Sequence, residues 1–192
     1  MNLTQDFFKS LRLVFALWIL TAAVYPFIML VMGQVVFSYQ ANGSLLSNSA
    51  GQTVGSALIG QPFKSDRYFL SRPSSIDYAT QPTVATTGAS GGSNLAPSNP
   101  ALLDRIKPEA QRLQQAQIKP TADLLYASGS GLDPHISLEA AQAQVQRVAQ
   151  VRKLTEDQVQ TFVTQAIDGR SIGILGEPGV NVLKLNLSLD KG

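Results

Sequence analysis

The sequence predicts an α+β protein: a single N-terminal transmembrane helix followed by a small extracytoplasmic domain with a mixed sheet and about three helices. Three observations lead there. Residues 13–32 read LVFALWILTAAVYPFIMLVM, twenty positions without a charge. Three later stretches repeat apolar residues at helical spacing behind good capping residues. Residues 183–189 alternate leucine with polar side chains.

The apolar run comes first. At about 1.5 Å per residue it spans about 30 Å as a helix, the thickness of a bilayer's hydrocarbon core. A core helix of that size usually carries a polar stripe, and this run has none. A cleaved signal peptide has an apolar region of only about 7–15 residues, whereas this run continues into VVFSYQ. Pro26 is expected to kink the helix without ending it. Lys9 and Arg12 precede the span and the next basic residue is Lys64, so the N-terminus is expected in the cytoplasm. The expected organisation is a cytoplasmic stub (1–12), a transmembrane helix (13–36), a polar linker (37–56) and an extracytoplasmic domain (57–192), single-pass in the cell membrane.

Within the domain, ALIGQPF (57–63) reads as a short strand ended by Gly60 and Pro62. Residues 83–99, TVATTGASGGSNLAPSN, have the composition of a disordered loop. Asn99-Pro100 sets an N-cap acceptor before a proline at N1 and opens a first helix. Its stripe is Leu102, Leu103, Ile106, Ala110 and Leu113, with a kink or restart expected at Pro108. Ala122–Tyr126 reads as a second short strand. Ser137 opens a second helix with Leu138, Ala141, Val145 and Val148 on one face. Thr155 and Gln158 have capping-box spacing and open a third, with Val159, Phe162, Val163, Ala166 and Ile167 recurring. The alternation from Leu183 to Leu189 has the period of a half-buried strand.

Composition excludes several function classes. Lys and Arg number 15 against 13 acids, a net +2, which gives no basic footprint for nucleic acid. Without cysteine there is no disulfide, thiolate zinc site or cysteine nucleophile. The single histidine lies in ASGSGLDPH (127–135). Ser128 or Ser130 with Asp133 and His135 have the residue types of a nucleophilic triad. Triad members, however, normally converge from separate elements, and neither serine sits in a G-x-S-x-G elbow. One histidine does not supply a zinc set, the acids are scattered, and no Walker A sequence is present. Glycines beside Asp133-Pro134 suit a turn ahead of the Ser137 cap. No catalytic residue and no metal ligand is expected.

Several blocks nevertheless belong together: LIGQPF, YFLSRPSS, SGGSNLAPSNPALL, SGSGLDPHIS and GILGEPGVNVLKLNLSLD, behind an N-terminal anchor. In that order the chain resembles KdpC, the small subunit family of the bacterial Kdp potassium-transporting P-type ATPase. The resemblance implies an accessory subunit beside a KdpA-like potassium-conducting subunit and a KdpB-like ATP-hydrolysing subunit. It implies a stabiliser of the assembly, and a catalytic chaperone that raises the ATP affinity of the KdpB-like partner. The DKTGT motif of P-type ATPases is absent here. No cofactor is expected on this chain; ATP and potassium belong to the complex.

The resemblance and the topology pull apart. Nucleotide contact by Ser90, Gly91, Gly92, Ser128, Gly129, Ser130 and Gly131 requires a domain facing the cytoplasm, whereas the flanking charges put it outside. The ATP effect is therefore expected to be indirect, with nucleotide contact as the alternative. Partner contacts are expected at Arg72, Pro73, Asn94, Asn99, Asp133 and His135, polar groups and turn-formers in the matching blocks. The competing reading from another class is a membrane-anchored binding protein for a small ligand, which predicts a ligand-sized pocket.

Overall fold

A computed structural model describes residues 3–80 and 88–191, divided into two compact units, 1–44 and 45–192. The first unit is built on helix α1 (Leu3–Val36), 34 residues with a mean hydropathy of 2.3 in its most apolar window. None of its side chains is buried. The helix runs through Pro26 by widening into a π-helical turn at Leu20–Val24. Proline offers no N–H to the carbonyl four residues back and its ring presses on that turn, so a local π register relieves both problems. One helical turn, α2 (Ser38–Ala41), follows.

The second unit begins with a hairpin inside the stretch expected to be a linker. Strands β1 (Leu45–Ser47) and β2 (Thr53–Ser56) pair antiparallel. Asn48 builds the turn: its side-chain oxygen accepts from the N–H groups of Ala50 and Gln52 at 3.0 and 2.9 Å, the side-chain mimic of a backbone turn for which Asn is favoured.

Helices α3 (Pro100–Gln115), α5 (Leu138–Arg152) and α6 (Glu156–Gln165) form where capping and periodicity predict them. Asn99 and Ser137 accept from the N–H groups of Ala101 and Ala140. Thr155 and Gln158 exchange both bonds of a capping box. Helix α3 does not restart at Pro108 but continues through it; Asp104, whose carbonyl the proline deprives of a partner, lies on the exposed face where water can serve it.

Three expected strands are not strands. Residues 182–189 form helix α7 (Val182–Leu189), capped by the Asn181 side chain accepting from the Lys184 N–H. Its buried positions are Val182, Leu183, Leu185, Asn186 and Leu189, a 3-4 spacing in which an asparagine occupies the core face. The leucine alternation hides that stripe because Asn186 reads as a wet position. Residues 122–125 form a helical turn, α4 (Ala122–Leu125), which buries Leu124 while sending the Asp123 carboxylate to the Ser137 N–H at 2.8 Å. Residues 57–63 make a bend whose backbone is paired by loops: the Gly60 N–H donates to Leu132 O, and Gln61 O accepts from the Ser71 hydroxyl.

A three-stranded antiparallel sheet, order β3-β5-β4, lies beside these helices: β3 (His135–Ile136), β4 (Ile167–Asp168) and β5 (Gly179–Asn181). The core gathers Leu113, Ile118, Leu124, Ile136, Val148, Val159, Val163, Val180 and Leu185. Residues 83–87 of the expected disordered loop lie outside the described residues.

Candidate functional site

The loop layer over this core depends on four polar side chains. Asn186 donates to Phe69 O at 3.0 Å and accepts from the Phe69 N–H at 2.8 Å. Gln144 accepts from the Leu70 N–H at 2.7 Å. Arg147 donates to the carbonyls of Asp66 and Tyr68 at 2.6 and 2.8 Å, and Arg152 to those of Arg67 and Leu189. Residues 66–70 thereby receive from side chains the pairing that a neighbouring strand would give, which the buried Phe69 and Leu70 require. Burial pushes the Arg147 guanidinium below its ordinary pKa, with Asp66 opposing.

From this ribbon the chain delivers Arg72 and Pro73 to the two serine-glycine strings. The Ser128 N–H donates to Pro73 O at 2.9 Å, and the Ser74 hydroxyl to Gly131 O at 2.8 Å. Ser90 Oγ and the Gly91 N–H both donate to Ser130 O, each at 2.8 Å. The strings therefore pack directly against each other. Gly131 sits at φ +72°, and a Cβ there would lie 2.6 Å from Gly91 O; one on Gly92 would lie 2.9 Å from Gly129 O. These glycines are required for backbone contact.

Beside them runs a ladder of alternating charge. Arg72 pairs with Asp123 and, at 3.5 Å, with Asp133. His135 Nδ1 lies 3.6 Å from Asp133, its Nε2 lies 2.9 Å from Asp168, and Lys184 Nζ reaches Asp168 at 2.8 Å. His135 crosses the central strand to meet Asp168 because Gly179 leaves room; a Cβ there would lie 3.0 Å from that of His135. Asp133 and then Asp168 raise the histidine pKa, against an opposing effect of burial. Burial pushes the Asp133 and Asp168 carboxyls up, but His135 with Arg72 for the former, and Lys184 with His135 for the latter, hold both below the ordinary value.

This arrangement is unsuited to a serine triad. Both imidazole nitrogens face carboxylates, while Ser128 Oγ and Ser130 Oγ face each other at 3.1 Å. Among the described residues no group of three or more His, Asp or Glu side chains is placed to hold a metal ion.

Of the expected contact residues, Arg72, Pro73, Asp133 and His135 come together at this layer. Asn94 is exposed at φ +53°, and Asn99 is occupied as the cap of α3. Asp123, Asp168 and Lys184 complete the ladder but were missed in the sequence, where no short spacing joins them.

The profile of the family described as "KdpC: K+-transporting ATPase, c chain" matches residues 7–191, from the apolar helix through the ladder to α7. The chain belongs to the KdpC family. It is 60% identical over 186 residues to the potassium-transporting ATPase KdpC subunit of a Synechocystis species, covering 97% of this chain and 98% of that one. A Nostoc relative, KdpC subunit 1, is 56% identical over 198 residues, covering 100% and 98%. The KdpC subunit of Methylococcus capsulatus is 50% identical over 188 residues, covering 95% and 96%. The KdpC match thus includes both the candidate membrane helix and the whole folded unit.

Proposed function

We propose that this chain is the anchored, non-catalytic subunit of an ATP-driven potassium uptake complex. Helix α1 packs among the membrane helices of the KdpA-like and KdpB-like subunits. The folded unit stands outside the cell and stabilises the assembly through the loop layer around Arg72, Pro73, Asp133 and His135. The observation that carries this reading is the end-to-end family match, which joins a helix with no buried side chain to a unit with a core of its own. A helix that hydrophobic is at home in lipid or against other membrane helices.

Any gain in the partner's ATP affinity is indirect, through an assembly state that this subunit stabilises more than its alternative. Supporting this, the serine-glycine strings are engaged with each other, and Lys9 and Arg12 favour a cytoplasmic N-terminus. Two measurements test the proposal. A protease confined to the outside of intact cells is expected to cleave the folded unit once its loops carry an inserted cleavage site. A photoreactive ATP analogue applied at the cytoplasmic face is expected to label the KdpB-like subunit and not this chain. Protection from the protease, together with labelling of Ser90–Gly92 or Ser128–Gly131, would reverse the orientation and restore direct nucleotide contact.

A further inference from the structure

A cleft of about 490 Å³ opens between residues 62–78 and helix α3. It falls within the roughly 300–1,000 Å³ of small-molecule sites, which combine apolar walls with a few convergent polar groups. Phe63, Leu70 and Leu125 supply apolar wall. Its charged lining is Lys64, Arg72, Arg105 and Arg112 against Asp77 and Glu109.

Two of those cations are already neutralised. Arg112 donates to both carboxylate oxygens of Glu109, at 2.9 and 2.6 Å, and Arg72 belongs to the ladder with Asp123 and Asp133. That leaves Lys64 and Arg105 against Asp77, two positive charges minus one negative, and among the described residues none of these three side chains has an ion-pair partner. The cleft therefore carries one surplus positive charge.

One further feature marks the same place. The adjoining Asp77 and Tyr78 both adopt left-handed backbone, φ +49° and +57°. Neither is glycine, and strain of this kind persists where the surroundings over-determine it, often at ligand sites. Here the Tyr78 hydroxyl is bonded to Arg72 O, which ties the strained turn to the arginine.

We propose that this cleft binds a small organic monocarboxylate, with its carboxylate on the Arg105 guanidinium and its apolar body against Phe63, Leu70 and Leu125. A planar carboxylate fits the guanidinium fork. A single negative charge balances the surplus, whereas a phosphate dianion would overfill it beside Asp77 and Glu109. The cleft shares Arg72 and Pro73 with the proposed docking layer, but its binding is tested on the chain by itself.

The test is calorimetric titration of the full-length chain in lipid nanodiscs with benzoate, benzamide and inorganic phosphate, with empty nanodiscs as blank. Benzoate is expected to saturate one site per chain, and benzamide, its uncharged counterpart, to show no saturation. Arg105→Gln is expected to weaken benzoate about tenfold or more, by loss of a charge-assisted hydrogen bond. Lys64→Gln, on an exposed side chain, is expected to weaken it about threefold. No benzoate saturation, equal binding by benzamide, or tighter binding by phosphate would overturn the assignment. So would unchanged affinity in a folded Arg105→Gln variant, or in Lys64→Gln should the former not fold.

Discussion

Helices α5 and α6 pack together and bury Val145, Val148, Val159 and Val163 in one core. Residues 66–72 lie over the same core with Phe69 and Leu70 buried, yet they form no helix or strand. The first region is held by apolar area and tolerates exchange of one hydrophobe for another of similar volume. The second is held by donors and acceptors on Gln144, Arg147, Arg152 and Asn186, which pair with particular backbone groups of the ribbon. Apolar packing makes the frame, and buried polar side chains give an irregular ribbon a single path across it.

The contrast sets an order of effects. Leu185→Ala, in the fully buried core, is expected to cost about 2–5 kcal/mol and to lower the melting of the whole folded unit, followed by circular dichroism of the full chain in detergent. Asn186→Leu fills the neighbouring position but orphans the Phe69 N–H and C=O, at about 1–3 kcal/mol for each group left unpaired. Hydrogen exchange separates the two variants. In Asn186→Leu the Phe69 amide is expected to lose protection before the amides of α5, whereas in Leu185→Ala both lose it together. If Phe69 stays as protected as α5 in Asn186→Leu, the ribbon does not depend on that amide and the contrast is broken. Thr155→Ala, which removes half of the capping box, is expected to cost about 0.5–2 kcal/mol with no change at Phe69.

The smallest effect lies in the ladder. His135 has a raised pKa, chiefly through Asp133 and Asp168, so its contribution to stability is fully present below its unfolded value of about 6.5 and fades as pH rises through the folded value. Asp133 and Asp168 have lowered values, so their contribution is present above the unfolded carboxyl range and fades as pH falls through the folded values. The native chain is expected to melt highest between those limits. His135→Gln is expected to flatten the loss on the alkaline side, with a change no larger than the roughly 0–1 kcal/mol of partly exposed ion pairs. Identical alkaline slopes in the two proteins would remove His135 from the stability account.

The same division explains what the sequence disclosed. α3, α5 and α6 were legible because capping and apolar period are local signals, read within a dozen residues. α7 was misread because its stripe contains Asn186, and only the distant Phe69 backbone makes an asparagine a core residue there. The serine-glycine strings were recognisable, but their mutual packing joins positions 40 residues apart through backbone atoms common to every residue. Asp168 and Lys184 were invisible for a related reason: the ladder exists only because Gly179 lets His135 cross β5.

The proposed docking role of the loop layer is tested most directly by recovery of the whole complex. A tagged chain carrying Arg72→Gln and Asp133→Asn, checked for native α5 and α6 by hydrogen exchange, is compared with the unaltered chain as bait for the KdpA-like and KdpB-like subunits. The account predicts that the unaltered chain brings down both partners and that the altered one loses most of them while its helical core stays folded. Full recovery with the altered loop layer would contradict it.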